Sequence, residues 1–108
     1  MKKFDENHAL LEAMYDDEFF PDFLVDKIKV LVQELIGFLE SGETDLEVIQ
    51  EKLDEMTEEI NSLQEEFEEN DSELETVARD SIAETVEYVL NWFGVDIDIE
   101  DALGVREW

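Results

Sequence analysis

Carboxylates are the residues this chain has in quantity for chemistry: 33 Asp and Glu stand against 7 Lys and Arg. Two carboxylates at a set separation are the machinery of general acid–base and glycosyl chemistry. Here they occur along so much of the chain that no pair is marked out as acid and base. The single histidine, His8, has no Glu-x-x-His arrangement of the kind a di-iron bundle needs. It is expected as an exposed first-turn residue rather than a catalytic base. Cysteine is absent, which removes disulfides, thiolate zinc sites and cysteine nucleophiles together. There is no glycine-rich phosphate loop. The expectation is a non-enzymatic protein without a cofactor.

One stretch imitates a metal loop. Asp96-Ile97-Asp98-Ile99-Glu100-Asp101 resembles the start of a calcium loop, and Glu107 falls at its twelfth position. The sixth position holds Asp101 where the sharp turn needs glycine, and only Trp108 follows Glu107, so no exiting helix is given. The alternating Asp and Ile are expected to cap and dock a helical turn. No metal is expected.

Two regions have the chemistry of binding surfaces. Glu47, Glu51, Asp54, Glu58, Glu65 and Glu69 share one strip of a helix and extend about 33 Å at ~1.5 Å rise per residue. One turn of duplex DNA is about 34 Å, so Glu51, Asp54 and Glu58 could stand in for phosphates against a basic protein. The plainer reading is the solvated face that every amphipathic helix has. The second region is Met14 to Pro21, where Tyr15, Asp16, Asp17 and Phe19 put aromatics beside acids, as protein-binding anchors do. Its plainer reading is that Phe19 and Phe20 clamp the first helix to the rest. Trp108 is a further candidate contact. Among the scarce cations, Lys27, Arg79 (four residues after Glu75) and Arg106 are expected in internal ion pairs; the alternative is an anionic ligand or partner carboxylate.

The formal net charge is −26. Such a surface repels nucleic acid and anionic membranes, whose recognition needs Lys and Arg. It attracts basic partners, most strongly at low salt. Solubility alone is the other explanation of the charge. Apolar residues are 44% of 108, enough for one core, so residues 1–108 are read as a single domain. No apolar run approaches the roughly 18 residues of a membrane span. The start MKKFDENHALL has no signal-peptide core, and a cytoplasmic protein is expected.

Helices must position all of these groups. Asn7 is expected to cap a short helix from His8 to Tyr15. Pro21 should open the second helix at its first position, with Ser41-Gly42 ending it near Glu40. Apolar residues cover more than half of that helix's circumference, which places it at the centre. Thr44 with Glu47, and Ser72 with Glu75, read as capping boxes for the third and fourth helices. Leu46, Ile49, Leu53, Met56, Ile60, Leu63 and Phe67 make a narrow seam on the third. The fourth ends at Gly94, and Asp98 caps a turn from Ile99 to Leu103. The fold expected is all-α: a three-helix up-down bundle with a short extra N-terminal helix and a short C-terminal helical turn packed across its ends.

Several stretches together resemble a known family: Tyr15-Asp16-Asp17, Phe20-Pro21, Phe23-Leu24-Val25-Asp26-Lys27, Leu63 to Asn70, Ala78-Arg79-Asp80 and Arg106-Glu107-Trp108. The family is one of small acidic bacterial proteins classed as a domain of unknown function. The resemblance spans nearly the whole chain, and Glu107 replaces the Asp of the family's Arg-Asp-Trp ending. It implies a bacterial cytoplasmic single-domain protein and brings no catalytic residue or ligand. The function expected is a protein–protein interaction module, monomer or homodimer, that binds a basic partner. The alternatives are an immunity-type inhibitor or nucleic-acid mimic that blocks a basic nuclease or toxin, and a structural homodimer.

Overall fold

Local capping chemistry marks several of the helix ends. The computed structural model describes residues 3–5 and 7–108. It has α1 over Glu12–Tyr15, α2 over Asp22–Glu40, α3 over Leu46–Glu69, α4 over Thr76–Trp92 and α5 over Ile99–Ala102. Pro21 sits one residue outside α2, as its N-cap, with φ −60°; its fixed φ and missing N–H suit that position too. Gly42 at φ 98° and Gly94 at φ 69° end α2 and α4 as expected. Asp98 caps α5, its carboxylate accepting the Glu100 N–H at 2.9 Å.

Three caps differ from expectation. The cap of α3 is Asp45, which accepts the Glu47 N–H at 2.9 Å, and not Thr44. A carboxylate there also meets the positive end of the helix dipole. Ser72 closes α3 rather than opening α4. Its N–H bonds the Phe67 carbonyl at 2.8 Å, and the Asp71 N–H bonds the Glu68 carbonyl at 3.1 Å. This is a Schellman closure, with Asp71 at φ 58° in the left-handed position that glycine usually takes. The α4 helix starts after Glu75 with no side-chain cap.

The first helix is shorter than its apolar spacing suggests. Asn7 is not its cap: the Asn7 N–H bonds the Asp5 carboxylate at 2.9 Å, and the His8 N–H bonds the Asp5 carbonyl at 3.3 Å. That is a turn built on Asp5. Leu11 then takes φ 57°, a conformation costly for a branched residue. Its buried N–H reaches across to the Thr85 hydroxyl at 3.3 Å, and its side chain is fully buried.

The core joins Leu24, Ile28, Val32 and Leu35 of α2 to Ile49, Leu53, Ile60 and Phe67 of α3 and Ala78, Ile82, Val86 and Val89 of α4, with Leu11, Met14, Phe20 and Leu103 completing it. Side by side, α2 and α3 make the closest pair, while α1 lies against α4 and α2, and α5 against α3 and α4. The two short helices are thus wedges between long ones. The short dimension of the molecule is 18 Å, less than two full helix diameters of ~10–12 Å. Consequently α2 is buried on one broad side only: Phe23 and Val30 remain 51% and 52% exposed. Among the described residues no helix is long and apolar enough to cross a membrane.

Ser72 is 1% exposed and its hydroxyl has no hydrogen-bond partner. Removing a buried, unpaired hydroxyl relieves a desolvation cost. Ser72→Ala is expected to raise the unfolding free energy in urea by about 1 kcal/mol. A capping serine would show a loss instead.

Candidate functional site

An ion pair joins α2 and α3. The Lys27 ammonium meets both oxygens of Glu66, at 2.8 and 2.7 Å. Both side chains are well exposed, 47% and 39%, so the pair adds only a few tenths of a kcal/mol, up to about 1. Its importance is positional. It marks where the α3 edge Glu55, Glu59, Ser62, Glu66, spaced four, three and four, runs beside α2. Beyond it a groove opens between the helices. Leu31 and Met56 form the floor, and Glu34, Glu55, Glu58 and Glu59 stand on its walls with Lys52 as the one cation.

The residues singled out from sequence fall in three separate places. Glu51 is exposed on the outer face of α3, and Asp54 lies on its α5 side. The Gln50 amide there donates to Asp54 at 2.9 Å and to the Asp101 carbonyl at 3.0 Å, tying α3 to α5. Glu58 borders the groove on one side and the C-terminal segment on the other. Asn61 clamps that segment, donating to the Val105 carbonyl at 3.0 Å and accepting the Glu107 N–H at 2.9 Å. The strip from Glu47 to Glu69 is therefore interrupted at its middle. Trp108 packs against the core, half-buried, with its indole N–H buried and unpaired.

The Tyr15 region is a built corner. The Tyr15 hydroxyl donates to Asp26 of α2, and the Lys29 ammonium stands 5.8 Å from the Tyr15 ring centroid. Asp17 accepts the Phe19 N–H at 2.9 Å. Phe20 is 2% exposed and meets the Phe67 ring edge-on at 6.5 Å, so the clamping falls to Phe20. Phe19, edge-on to Phe20 at 5.2 Å, stays 39% exposed. Asp16 is exposed beside Glu12 and Glu84, between α1 and α4. Of the three cations, Lys27 and Arg106 are paired, the latter with Glu100 at 3.1 Å. Arg79 is exposed and makes no ion pair among the described residues.

An aromatic cluster at the N-terminus was not foreseen. His8 is half-buried rather than exposed, stacked on Tyr88 with centroids 3.8 Å apart and planes 4° from parallel. Phe4 lies edge-on to Tyr88 at 5.9 Å and stacks with Phe93 at 6.2 Å. The Tyr88 hydroxyl donates to Asp5 at 2.8 Å, and the Trp92 indole donates to the Lys3 carbonyl at 2.8 Å. The i,i+4 spacing of Tyr88 with Trp92 on α4 carried part of the signal, since it places two rings on one side of the helix; the Phe4 and His8 rings are brought there by a turn. The groove residues Leu31, Glu34, Glu55, Met56 and Glu59 were also unmarked. Their signal lay in Leu31 and Met56, the residues flanking each helix's deepest stripe.

Hydrogen bonding moves the nearby ionisations. The Asn7 N–H, with the Tyr88 hydroxyl second, holds Asp5 below the usual carboxylate range. The bond to Asp5 raises Tyr88, and burial, followed by the bond to Asp26, raises Tyr15 well above the usual phenol range.

Residues 4–108 match the model of a family of unknown function (DUF5713). Neither a curated protein nor a solved structure matches the chain.

Tyr15 and Tyr88 are the only two tyrosines. A phenol with a raised folded pKa contributes stability that is complete below its unfolded value of ~10 and is lost as pH climbs through the folded value. Phenolate absorbance of the folded protein is expected to appear at higher pH than the ~10 of a free phenol, with Tyr15 the later to ionise. Stability should fall above that pH, and less steeply in Tyr15→Phe.

Proposed function

The chain belongs to that family of unknown function, and we propose that it is a non-enzymatic interaction module taking a cationic segment of a partner protein in the groove between α2 and α3. The observation carrying this reading is the groove itself: an apolar floor of Leu31 and Met56 under Glu34, Glu55, Glu58 and Glu59. Apolar contact supplies short-range attraction, and the walls select charge. The net charge of −26 would steer a basic partner toward the chain from beyond contact distance, an effect that salt screens.

The duplex-mimic reading draws less support, because Asn61 and the C-terminal segment interrupt the strip it needs. The same resemblance that implied this family also supports a bacterial cytoplasmic setting for the interaction.

A lysine- and arginine-rich amphipathic peptide, titrated at low salt and read by fluorescence anisotropy, tests the groove. Combined Glu34→Gln, Glu55→Gln and Glu59→Gln should weaken binding about tenfold or more. The charge-matched control Glu73→Gln, Glu84→Gln and Glu87→Gln, on and before α4, should change it by no more than about threefold. Equal losses in both would reduce the effect to bulk charge and end the proposal.

A further inference from the structure

Phe23, Val30 and Gly37 stand at seven-residue spacing on the outer side of α2, so they form one line along the helix. Phe23 and Val30 are about half exposed. Gly37 is exposed, and a Cβ added to it would meet nothing within 4 Å. Its φ is not in the left-handed region. Nothing in the single chain therefore requires glycine at this position, although glycine costs a helix about 1 kcal/mol relative to alanine. The line is thus large, medium, absent.

The flanks are ordered as well. Lys27 and Glu34 lie on the α3 side, since Lys27 meets Glu66 and Glu34 walls the groove. Asp26 and Gln33 lie on the other side: Asp26 accepts the Tyr15 hydroxyl, and Gln33 lines a depression with Phe4 and His8.

We infer that this face of α2 is the interface of a symmetric homodimer, in which two α2 helices pack antiparallel about a two-fold axis at Val30. An isologous contact must be self-complementary, and this line is. Positions equidistant from Val30 come together: Phe23 of one copy lies over Gly37 of the other, and the two Val30 side chains meet. A two-fold axis perpendicular to the helix pair keeps like flanks together. Lys27 then faces Glu34 of the second copy and Asp26 faces Gln33, each twice. The missing side chain at Gly37 leaves a notch for the Phe23 ring. A basic helix would have no such use for the notch or for Lys27. The line from Phe23 to Gly37 spans about 21 Å at ~1.5 Å per residue, short of a standard-sized interface, so the dimer is a weak one.

The same symmetry brings both acidic grooves to one side of the dimer. Like-charge repulsion opposes association there, and salt screens it. Self-association should therefore strengthen with salt, the opposite sign to capture of a cationic partner, so failure of either proposal leaves the other standing.

Sedimentation velocity of the full chain, up to concentrations on the order of 0.1–1 mM, reads this directly. The expected result is a monomer–dimer equilibrium whose dissociation constant falls about tenfold from low to high salt. Val30→Glu, at a half-exposed position, should leave the helical circular dichroism unchanged and abolish the dimer at every salt. Gly37→Leu, whose Cβ meets nothing within 4 Å in its own chain and whose side chain fills the notch, should weaken the dimer about tenfold without lowering the melting temperature. A monomer under all conditions, a dimer indifferent to Val30→Glu, or association that salt weakens would overturn the inference. So would a monomer whose α2 amide resonances shift with added basic peptide and not with its own concentration.

Discussion

Like-charge repulsion is the constraint to which the rest of this structure answers. A net charge of −26 on 108 residues favours an expanded chain, and among the described residues two ion pairs do little to offset it. Closure therefore depends on burial that is continuous from helix to helix. Some of the charge is also turned to local use. Asp5, Asp17, Asp45 and Asp98 each accept a backbone N–H, and at the starts of α3 and α5 such a carboxylate satisfies a free donor and complements the dipole. Acidity that would work against folding as bulk charge thus helps to start helices.

The N-terminal segment shows how neutral donors and aromatic rings fasten a stretch of chain to the helices. It runs across the ends of α2 and α4, and among the described residues hydrogen bonds hold it from Phe4 N–H to Glu40 at 2.9 Å, from the Trp92 indole to Lys3, and from the Tyr88 hydroxyl to Asp5. Ring stacking among Phe4, His8, Tyr88 and Phe93 fills the space between. Neutral donors aimed at two carboxylates and a backbone carbonyl, with aromatic area behind them, do this fastening. The lowered Asp5 and raised Tyr88 ionisations are the electrostatic trace of that fastening.

Features set within about one helical turn were legible in the residues, and features set across the chain were not. The seam of α3 follows from its three-and-four spacing, and Gly42 and Gly94 announce the ends of α2 and α4 because they take positive φ there. Thr44 and Asp45 were harder to separate, being adjacent and both good caps. Leu11 could not have been read at all: its left-handed backbone rests on Thr85, 74 residues away. The groove is legible only once core packing sets the register of α2 on α3, which brings together residues as far apart as Lys27 and Glu66. The interaction residues proposed from sequence were likewise chosen helix by helix, whereas the groove exists only between two helices.

Charge left unpaired by the fold couples the two surfaces proposed for it. Glu55 and Glu59 wall the groove, and the two-fold arrangement on α2 brings those walls toward their counterparts in the second copy. A cationic segment bound in each groove would neutralise the repulsion that resists dimerisation. By linkage, the dimer must then bind the segment more tightly than the monomer, and by the same factor. The coupling runs through the field and requires no movement of the helices, so it should fade as salt screens the charges over a Debye length of ~8–10 Å. Sedimentation with and without saturating basic peptide would register it as a fall in the dimer dissociation constant at low salt that vanishes at high salt. A fall that survived high salt would point instead to direct contact between the segment and both copies.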